Sequence, residues 1–146
     1  MTKSSSRQAK SHERGQSLIE FAFMSVVILI LMLGIFDLGR AYFTYLALQD
    51  AAGEGASFGS VYPTQVTGSD ANNITYRVRN SAPTGLLVDL QNAQVSVQTT
   101  GTEPGDQITV TVTTDYQLLT PFVGSIVGSQ TLPLSAESVA VIAAAN

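Results

Sequence analysis

Residues 15–40 have the sequence GQSLIEFAFMSVVILILMLGIFDLGR, and this stretch decides the architecture of the 146-residue chain. No charged residue occurs from position 21 to position 36, and including Leu18 and Ile19 lengthens the apolar run to residues 18–36. An α-helix rises 1.5 Å per residue, so this run covers about 28 Å, close to the roughly 30 Å hydrocarbon core of a bilayer. We therefore expect one membrane-spanning helix, with Glu20 inside its apolar zone.

A cleavable secretory signal is the competing interpretation of the same run. Such a signal has an apolar stretch of about 7–15 residues and a small-residue cleavage site soon after it. Here Asp37 and Arg40 follow the run, and the next alanine-rich segment begins only near Ala51. The sequence therefore favours a span that is retained.

Charge is distributed unevenly along the chain. Hydrophobic residues make up 45% of the sequence and charged residues only 12%, about half the charged share of an ordinary soluble domain. Four of the seven basic residues precede Gly15. They are Lys3, Arg7, Lys10 and Arg14. Because basic flanks stay on the cytoplasmic side of a span, we predict a cytoplasmic leader at residues 1–15 and an extracytoplasmic C-terminal part at the cell membrane.

The helix is predicted to continue beyond the membrane, unbroken from Gln16 to about Ser60. Apolar residues recur there at spacings of three or four, which indicates one face of an amphipathic helix. These residues are Leu38, Ala41, Tyr45, Leu48, Ala52 and Ala56. Tyr42, Phe43 and Tyr45 are predicted to lie just beyond the span, in an aromatic belt at the outer membrane surface. Gly55 and Gly59 leave two alternatives open, namely a close-packing face or a loosened helix end.

Residues 61–146 are predicted to form a small extracytoplasmic domain. Ser69 or Asp70 is the expected cap of a short helix that reaches about Ala82 and ends at residues 83–85. Alternating valines predict a strand around 95–97, and Ile108, Val110 and Val112 predict a second strand on one face. Pro104-Gly105 suits a type II turn, so the two strands should form a hairpin.

A third strand signal lies in residues 131–144, where the apolar residues change parity and suggest a bulge near Glu137. Residues 118–128 suit a covering loop or a short helix. Together these signals predict an α+β fold. It has a long N-terminal transmembrane helix that extends outward, followed by a small antiparallel sheet with one short helix.

The boundary between leader and span carries the most specific motif. Gly15, four residues and then Glu20-Phe21 directly abut the apolar run. This arrangement resembles the processing site of type IV prepilins and pseudopilins, which a membrane aspartic prepilin peptidase cuts after the glycine. The resemblance implies cleavage between Gly15 and Gln16. It also makes Glu20 the fifth residue of the mature chain.

The position of Glu20 in the apolar zone has a physical explanation if the chain is processed like a prepilin. A carboxylate among lipid tails must lose its charge, reach toward the cytoplasmic face or find a cation. Cleavage creates such a cation, the α-ammonium of Gln16 on a neighbouring subunit, and pairing would set the register between packed helices. The alternative is that Glu20 only marks the inner edge of a short span.

A larger region sharpens the resemblance. Residues 14–58 are similar to the N-terminal region of TadE-like proteins, pseudopilin-type components of the tight-adherence (Flp) pilus system. The matching segments are Glu20-Phe21-Ala22, GIFDLGR at 34–40 and LALQDAAGEGA at 46–56, which is Ala47 to Ala56 with the flanking Leu46. The resemblance implies other pilin-type subunits, the pilus assembly platform and prepilin peptidase as partners. The open alternative is a single-pass, membrane-anchored binding domain with no part in pili.

Asp37 and Arg40 are the remaining candidate site residues. They lie three positions apart on one helix, close enough to pair, and are predicted either to contact a partner subunit at the outer membrane surface or to form a local ion pair. Catalysis finds little support. The chain has no Cys, and its single His precedes Gly15, so no Ser-His-Asp arrangement is expected. We predict no enzyme activity and no metal or cofactor, and the acidic outer part argues against nucleic acid.

Overall fold

A computed structural model describes residues 9–66, 72–81 and 88–143, with side chains from Gly15 onward. The chain divides into two compact units, Met1–Phe36 and Asp37–Asn146. Helix α1 (Ala9–Gly59) contributes to both. Elsewhere in the second unit, the described residues form two short helices and a three-stranded antiparallel sheet. The predicted α+β class is therefore confirmed, while Lys3 and Arg7 of the expected leader lie outside the described residues.

The first unit exposes a long apolar surface on α1. Phe21 and Ile35 are 73% and 71% exposed, near the two ends of this surface. The large apolar side chains exposed there are Leu18, Ile19, Phe21, Phe23, Met24, Val26, Val27, Ile28, Leu29, Leu31, Met32, Leu33, Ile35 and Phe36. Exposed apolar surface of this extent indicates a lipid or protein partner.

In the second unit, α1 buries a side that differs in part from the predicted one. The predicted positions that are fully buried are Leu48, Ala52 and Ala56. Leu38 and Tyr45, expected on the same face, are exposed, and Asp37 and Thr44 are buried instead. The reason is chemical, because near Asp37 this helix meets the hydroxyl of Tyr116 and backbone N–H groups. The oxygen atoms of Asp37 accept hydrogen bonds from those donors. The spacing of apolar residues cannot predict a buried polar residue of this kind.

Gly55 and Gly59 form a close-packing face on α1. A Cβ atom built on Gly55 would lie 2.6 Å from Cγ2 of Val78, and one on Gly59 would lie 2.6 Å from Cδ1 of Ile108. Real Cβ atoms do not approach other atoms so closely, so the glycines are what allows α1 to approach its neighbours. Of the two alternatives that the sequence left open, the structure shows the packing face.

Helix α2 (Ile74–Asn80) is shorter than predicted and has a different cap. The side chain of Asn73 accepts a hydrogen bond of 2.7 Å from the backbone N–H of Tyr76, as an N-cap residue does. Ser69 and Asp70, the predicted caps, lie outside the described residues, as do residues 83–85. Ile74 and Val78, one turn apart, are fully buried in the core.

The sheet contains strands β1 (Gln94–Thr99), β2 (Gln107–Gln117) and β3 (Thr131–Val141) in the order β1-β2-β3, with both pairs antiparallel. The predicted hairpin of β1 and β2 is confirmed. In the loop that connects β1 to β2, the backbone N–H of Asp106 donates to the carbonyl oxygen of Glu103 at 3.1 Å. Gly105 has φ +101°, so Pro104-Gly105 turns the chain as a type II turn does.

One face of the sheet closes the core. Its central residues are Ile108, Val110 and Val112 on β2, and they join the buried alanines of α1 and the buried residues of α2 in one cluster. The predicted bulge near Glu137 is wrong, because β3 pairs with β2 in an uninterrupted register from Thr131 to Val141. Val139 and Val141 face outward and are 52% and 56% exposed. Branched residues favour strands on either face, which explains the misleading change of parity.

Helix α3 (Pro121–Val127) joins β2 to β3. The sequence of residues 118–128 suits either a covering loop or a short helix, and the structure shows the helix. Pro121 occupies the first turn, where its missing N–H costs nothing. Gly128 ends the helix with φ +84°, a conformation that glycine adopts without strain.

Candidate functional site

The predicted processing segment lies on the first unit's part of α1. Gly15, Gln16, Glu20 and Phe21 are all exposed helical residues. Gln16 and Glu20 are four positions apart and therefore lie on the same side of the helix. The side chain of Glu20 forms no hydrogen bond or ion pair with any residue that the structure describes, so its carboxylate is available to another molecule. Gly15 is the residue of this segment that least favours a helix.

The second predicted pair, Asp37 and Arg40, lies at the start of the second unit. Asp37 is only 2% exposed, although it directly follows the apolar run. Its carboxylate accepts hydrogen bonds from the backbone N–H groups of Leu119 and Thr120, at 3.1 and 2.9 Å, and from the hydroxyl group of Thr120. A buried carboxylate is tolerated when it is hydrogen-bonded in this way.

Tyr116 completes this arrangement, which we call the Asp37 cluster and define as Asp37, Arg40, Tyr116, Leu119 and Thr120. The hydroxyl group of Tyr116 donates to the backbone carbonyl oxygen of Asp37 at 3.0 Å. Burial raises the pKa of Tyr116 above its ordinary value, and the charge of Arg40 opposes the rise. The phenol therefore stays protonated and able to donate at neutral pH.

The positive charge of Arg40 attracts Asp37 and the ring of Tyr116 within the cluster. Its Nη1 atom lies 3.7 Å from Oδ1 of Asp37, and its guanidinium carbon lies 5.3 Å from the centre of the Tyr116 ring. Nη1 is buried and has no hydrogen-bond partner among the described residues, so the attraction is electrostatic. The local ion pair that the sequence allowed is thus present. No signal in the sequence pointed to Tyr116, Leu119 or Thr120, because all three are remote from Asp37 in the chain.

A groove of about 600 Å³ lies on the surface of the second unit. Its lining residues are Asp50, Glu54, Asn72, Tyr76, Arg77, Asn80 and Ser81. Nη1 of Arg77 lies 3.3 Å from Oε1 of Glu54, and the guanidinium group of Arg77 stacks 4.8 Å from the ring centre of Phe58. The charges of Arg77 and Glu54 are therefore paired with each other at the surface. Within the described ranges, no group of three or more His, Cys, Asp or Glu residues could hold a metal ion.

Comparison with known proteins bears on α1. Among the described residues, one helix is long and apolar enough to cross a membrane, and it covers Gly15–Gly59. The family model of TadE-like proteins matches residues 15–57. The chain carries a TadE-like region. The predicted resemblance is therefore confirmed. This TadE-like region includes Gly15, Glu20 and the Asp37–Arg40 pair. No curated protein and no solved structure matches the chain.

Proposed function

We propose that this protein is a membrane-anchored TadE-like pseudopilin, a structural or assembly component of a tight-adherence pilus or a related secretion system. The observation that carries the proposal is Glu20. It is an exposed carboxylate in an apolar helix surface, five positions after Gly15, and it lies in the region that matches the TadE-like family. An anchor alone needs no charge among its apolar residues, whereas helix-to-helix assembly gives this charge a use.

Processing supplies the partner of Glu20 in this proposal. A prepilin peptidase cuts after Gly15 and removes the basic leader, which leaves Gln16 with a free α-ammonium group. Gln16 and Glu20 are four residues apart, so the ammonium group of one subunit meets Glu20 of the next when the two helices are shifted by about 6 Å along their axes. A charge pair inside the membrane fixes that shift because any other shift leaves the carboxylate unpaired.

The orientation of the protein in the membrane follows from the basic leader and the apolar helix. The basic leader stays in the cytoplasm, and the second unit with its sheet lies outside the cytoplasmic membrane. Apolar side chains all around the first unit's helix then serve two partners, lipid before assembly and neighbouring pilin-type helices during it. The pilus assembly platform is the further partner that this route requires.

The test is piliation in a strain whose own gene for this chain is deleted. Wild-type protein should restore surface pili, and the variant Glu20→Ala should not, although it remains in the membrane fraction after alkaline extraction. Ser25→Ala is the matched control, because Ser25 lies on the same apolar helix and its hydroxyl group donates to the carbonyl oxygen of Ala22 within that helix.

Two results would overturn parts of the proposal. Unchanged piliation in the deletion strain would remove the pilus role altogether. Full restoration by Glu20→Ala would remove the register mechanism and leave Glu20 as the inner edge of a span.

A further inference from the structure

Helix α3 and the residue pair before it expose an unusual amount of apolar surface. We call residues 119–127 the α3 segment. Its exposed apolar side chains are Leu119 at 60%, Phe122 at 55%, Ile126 at 71% and Val127 at 49%. Phe122 and Ile126 are four positions apart and share one side of the helix. Surface apolar residues are common singly, but a group of them within so short a segment forms a patch that indicates a binding partner.

The sequence around the α3 segment carries no charge. Residues 116–136 contain no Asp, Glu, Lys, Arg or His, although charged residues stand directly on both sides of this stretch, at Asp115 and Glu137. A protein-binding surface is usually bordered by charged or polar residues that add specificity. An uncharged stretch of this length instead suits contact with hydrocarbon, where each charge is costly.

The Asp37 cluster places the beginning of this segment beside α1. The α3 segment begins at Leu119 and Thr120, whose backbone N–H groups donate to Asp37. Asp37 is the first residue after the apolar run that ends at Phe36. The α3 segment therefore starts next to the residue at which the apolar run gives way to polar sequence. Tyr42, which is 60% exposed farther along α1, is a residue type that favours the membrane–water interface.

We propose that the α3 segment rests in the outer surface of the same membrane that α1 spans, with Phe122 and Ile126 inserted among the lipid chains. This inference rests on the membrane anchoring in the proposed function and adds a second membrane contact to it. The occupant is lipid because the uncharged apolar patch begins beside the residue that follows the apolar run of α1. The polar backbone at this point is already satisfied by Asp37, so insertion leaves those N–H groups paired.

The chain offers a clean probe because it contains no Trp. The full-length protein with the single substitution Ile126→Trp is reconstituted into phosphatidylcholine vesicles whose acyl chains carry bromine, which quenches nearby indole emission. Phe122→Trp serves as a second reporter. The references are Leu29→Trp inside the apolar run and Val139→Trp on the outward face of the sheet.

The proposal expects the emission of the Ile126→Trp and Phe122→Trp proteins to fall in brominated vesicles, as for Leu29→Trp, while Val139→Trp emission is unchanged. Unquenched reporters at both α3 positions beside a quenched Leu29→Trp would overturn this inference and leave the anchor standing. An unquenched Leu29→Trp would overturn the membrane anchor as well. Blue-shifted α3 reporters that respond to the protein-to-lipid ratio and not to bromine would identify a second copy as the occupant and also overturn the proposal.

Discussion

The carboxylate of Asp37 accepts a hydrogen bond of 2.9 Å from the backbone N–H of Thr120, which lies 83 positions later in the chain. The bond joins the residue that follows the apolar run to the connection between β2 and α3. Leu119 donates a second backbone hydrogen bond to the same carboxylate, and the hydroxyl group of Thr120 donates a third. One buried side chain therefore holds the beginning of the α3 segment against α1.

Replacing Asp37 by Asn should destabilise the second unit by about 1–3 kcal/mol. The substitution removes the charge that strengthens three hydrogen bonds and leaves a buried donor without its acceptor. The measurement is urea unfolding of the full-length protein in mild detergent, followed by near-ultraviolet circular dichroism of the tyrosines. Asp50→Asn is the control, since Asp50 is exposed on the same helix and should change the free energy of unfolding by less than about 0.5 kcal/mol. Equal effects of the two substitutions would contradict the role of the Asp37 cluster.

Adding a methyl group at Gly55 should destabilise the protein, although alanine favours a helix. The new Cβ atom would lie 2.6 Å from Val78, 3.1 Å from Val110 and 3.3 Å from Ile74, and overpacking of this kind costs about 1–3 kcal/mol. Branched valines have few alternative rotamers with which to give way.

Gly53→Ala is the matched control for this prediction. Nothing lies within 4 Å of the position that its Cβ atom would take, so the same change should stabilise α1 by up to about 1 kcal/mol. Thermal unfolding of both variants measures the difference. A Gly55→Ala protein as stable as Gly53→Ala would show that α1 does not pack this closely.

Gly105 should resist substitution for a different reason. Its φ of +101° lies in a region that residues with a Cβ atom avoid, although the space around it is open. We expect Gly105→Ala to lower the free energy of unfolding by about 1 kcal/mol or more, whereas Thr102→Ala in the same exposed loop should have little effect. Chemical unfolding checks the prediction, and an unchanged midpoint for Gly105→Ala would argue against the type II turn.

Local patterns in the sequence were enough to predict much of the fold. The alternation of Ile108, Val110 and Val112 located β2, and Pro104-Gly105 located the turn before it, because both signals act between near neighbours in the chain. The apolar run likewise predicts α1, since an apolar stretch of that length has few other uses. The TadE-like resemblance rested on the same local segment.

Features that depend on distant residues were not predictable. The sequence near Asp37 predicts contact with a partner subunit or an ion pair with Arg40, and nothing there indicates that Leu119 and Thr120 donate hydrogen bonds to its carboxylate. The parity of Val139 and Val141 suggested a bulge, yet their side chains face outward from a regular strand. The sequence around Gly55 fits a packing face and a loosened helix end equally well, because the neighbours that distinguish them lie on α2 and β2.

Membrane orientation is open to a direct test because the chain contains no Cys. A single Val139→Cys substitution should react with a membrane-impermeant maleimide in spheroplasts, since Val139 is exposed and the second unit is proposed to lie outside the cytoplasm. In a host without prepilin peptidase, Ser4→Cys in the leader should react only after lysis. Labelling of Ser4→Cys in intact spheroplasts, with Val139→Cys protected, would reverse the proposed orientation.

The most direct test of the pilin-type account is the N-terminus of the mature chain. The full-length protein is co-expressed with a prepilin peptidase, purified from membranes and analysed by intact mass and N-terminal sequencing. The account predicts a chain that begins at Gln16, and predicts that Gly15→Ala blocks this cleavage while the protein still enters the membrane. A chain that keeps its first fifteen residues, or a Gly15→Ala variant cleaved as efficiently as the wild type, would contradict it.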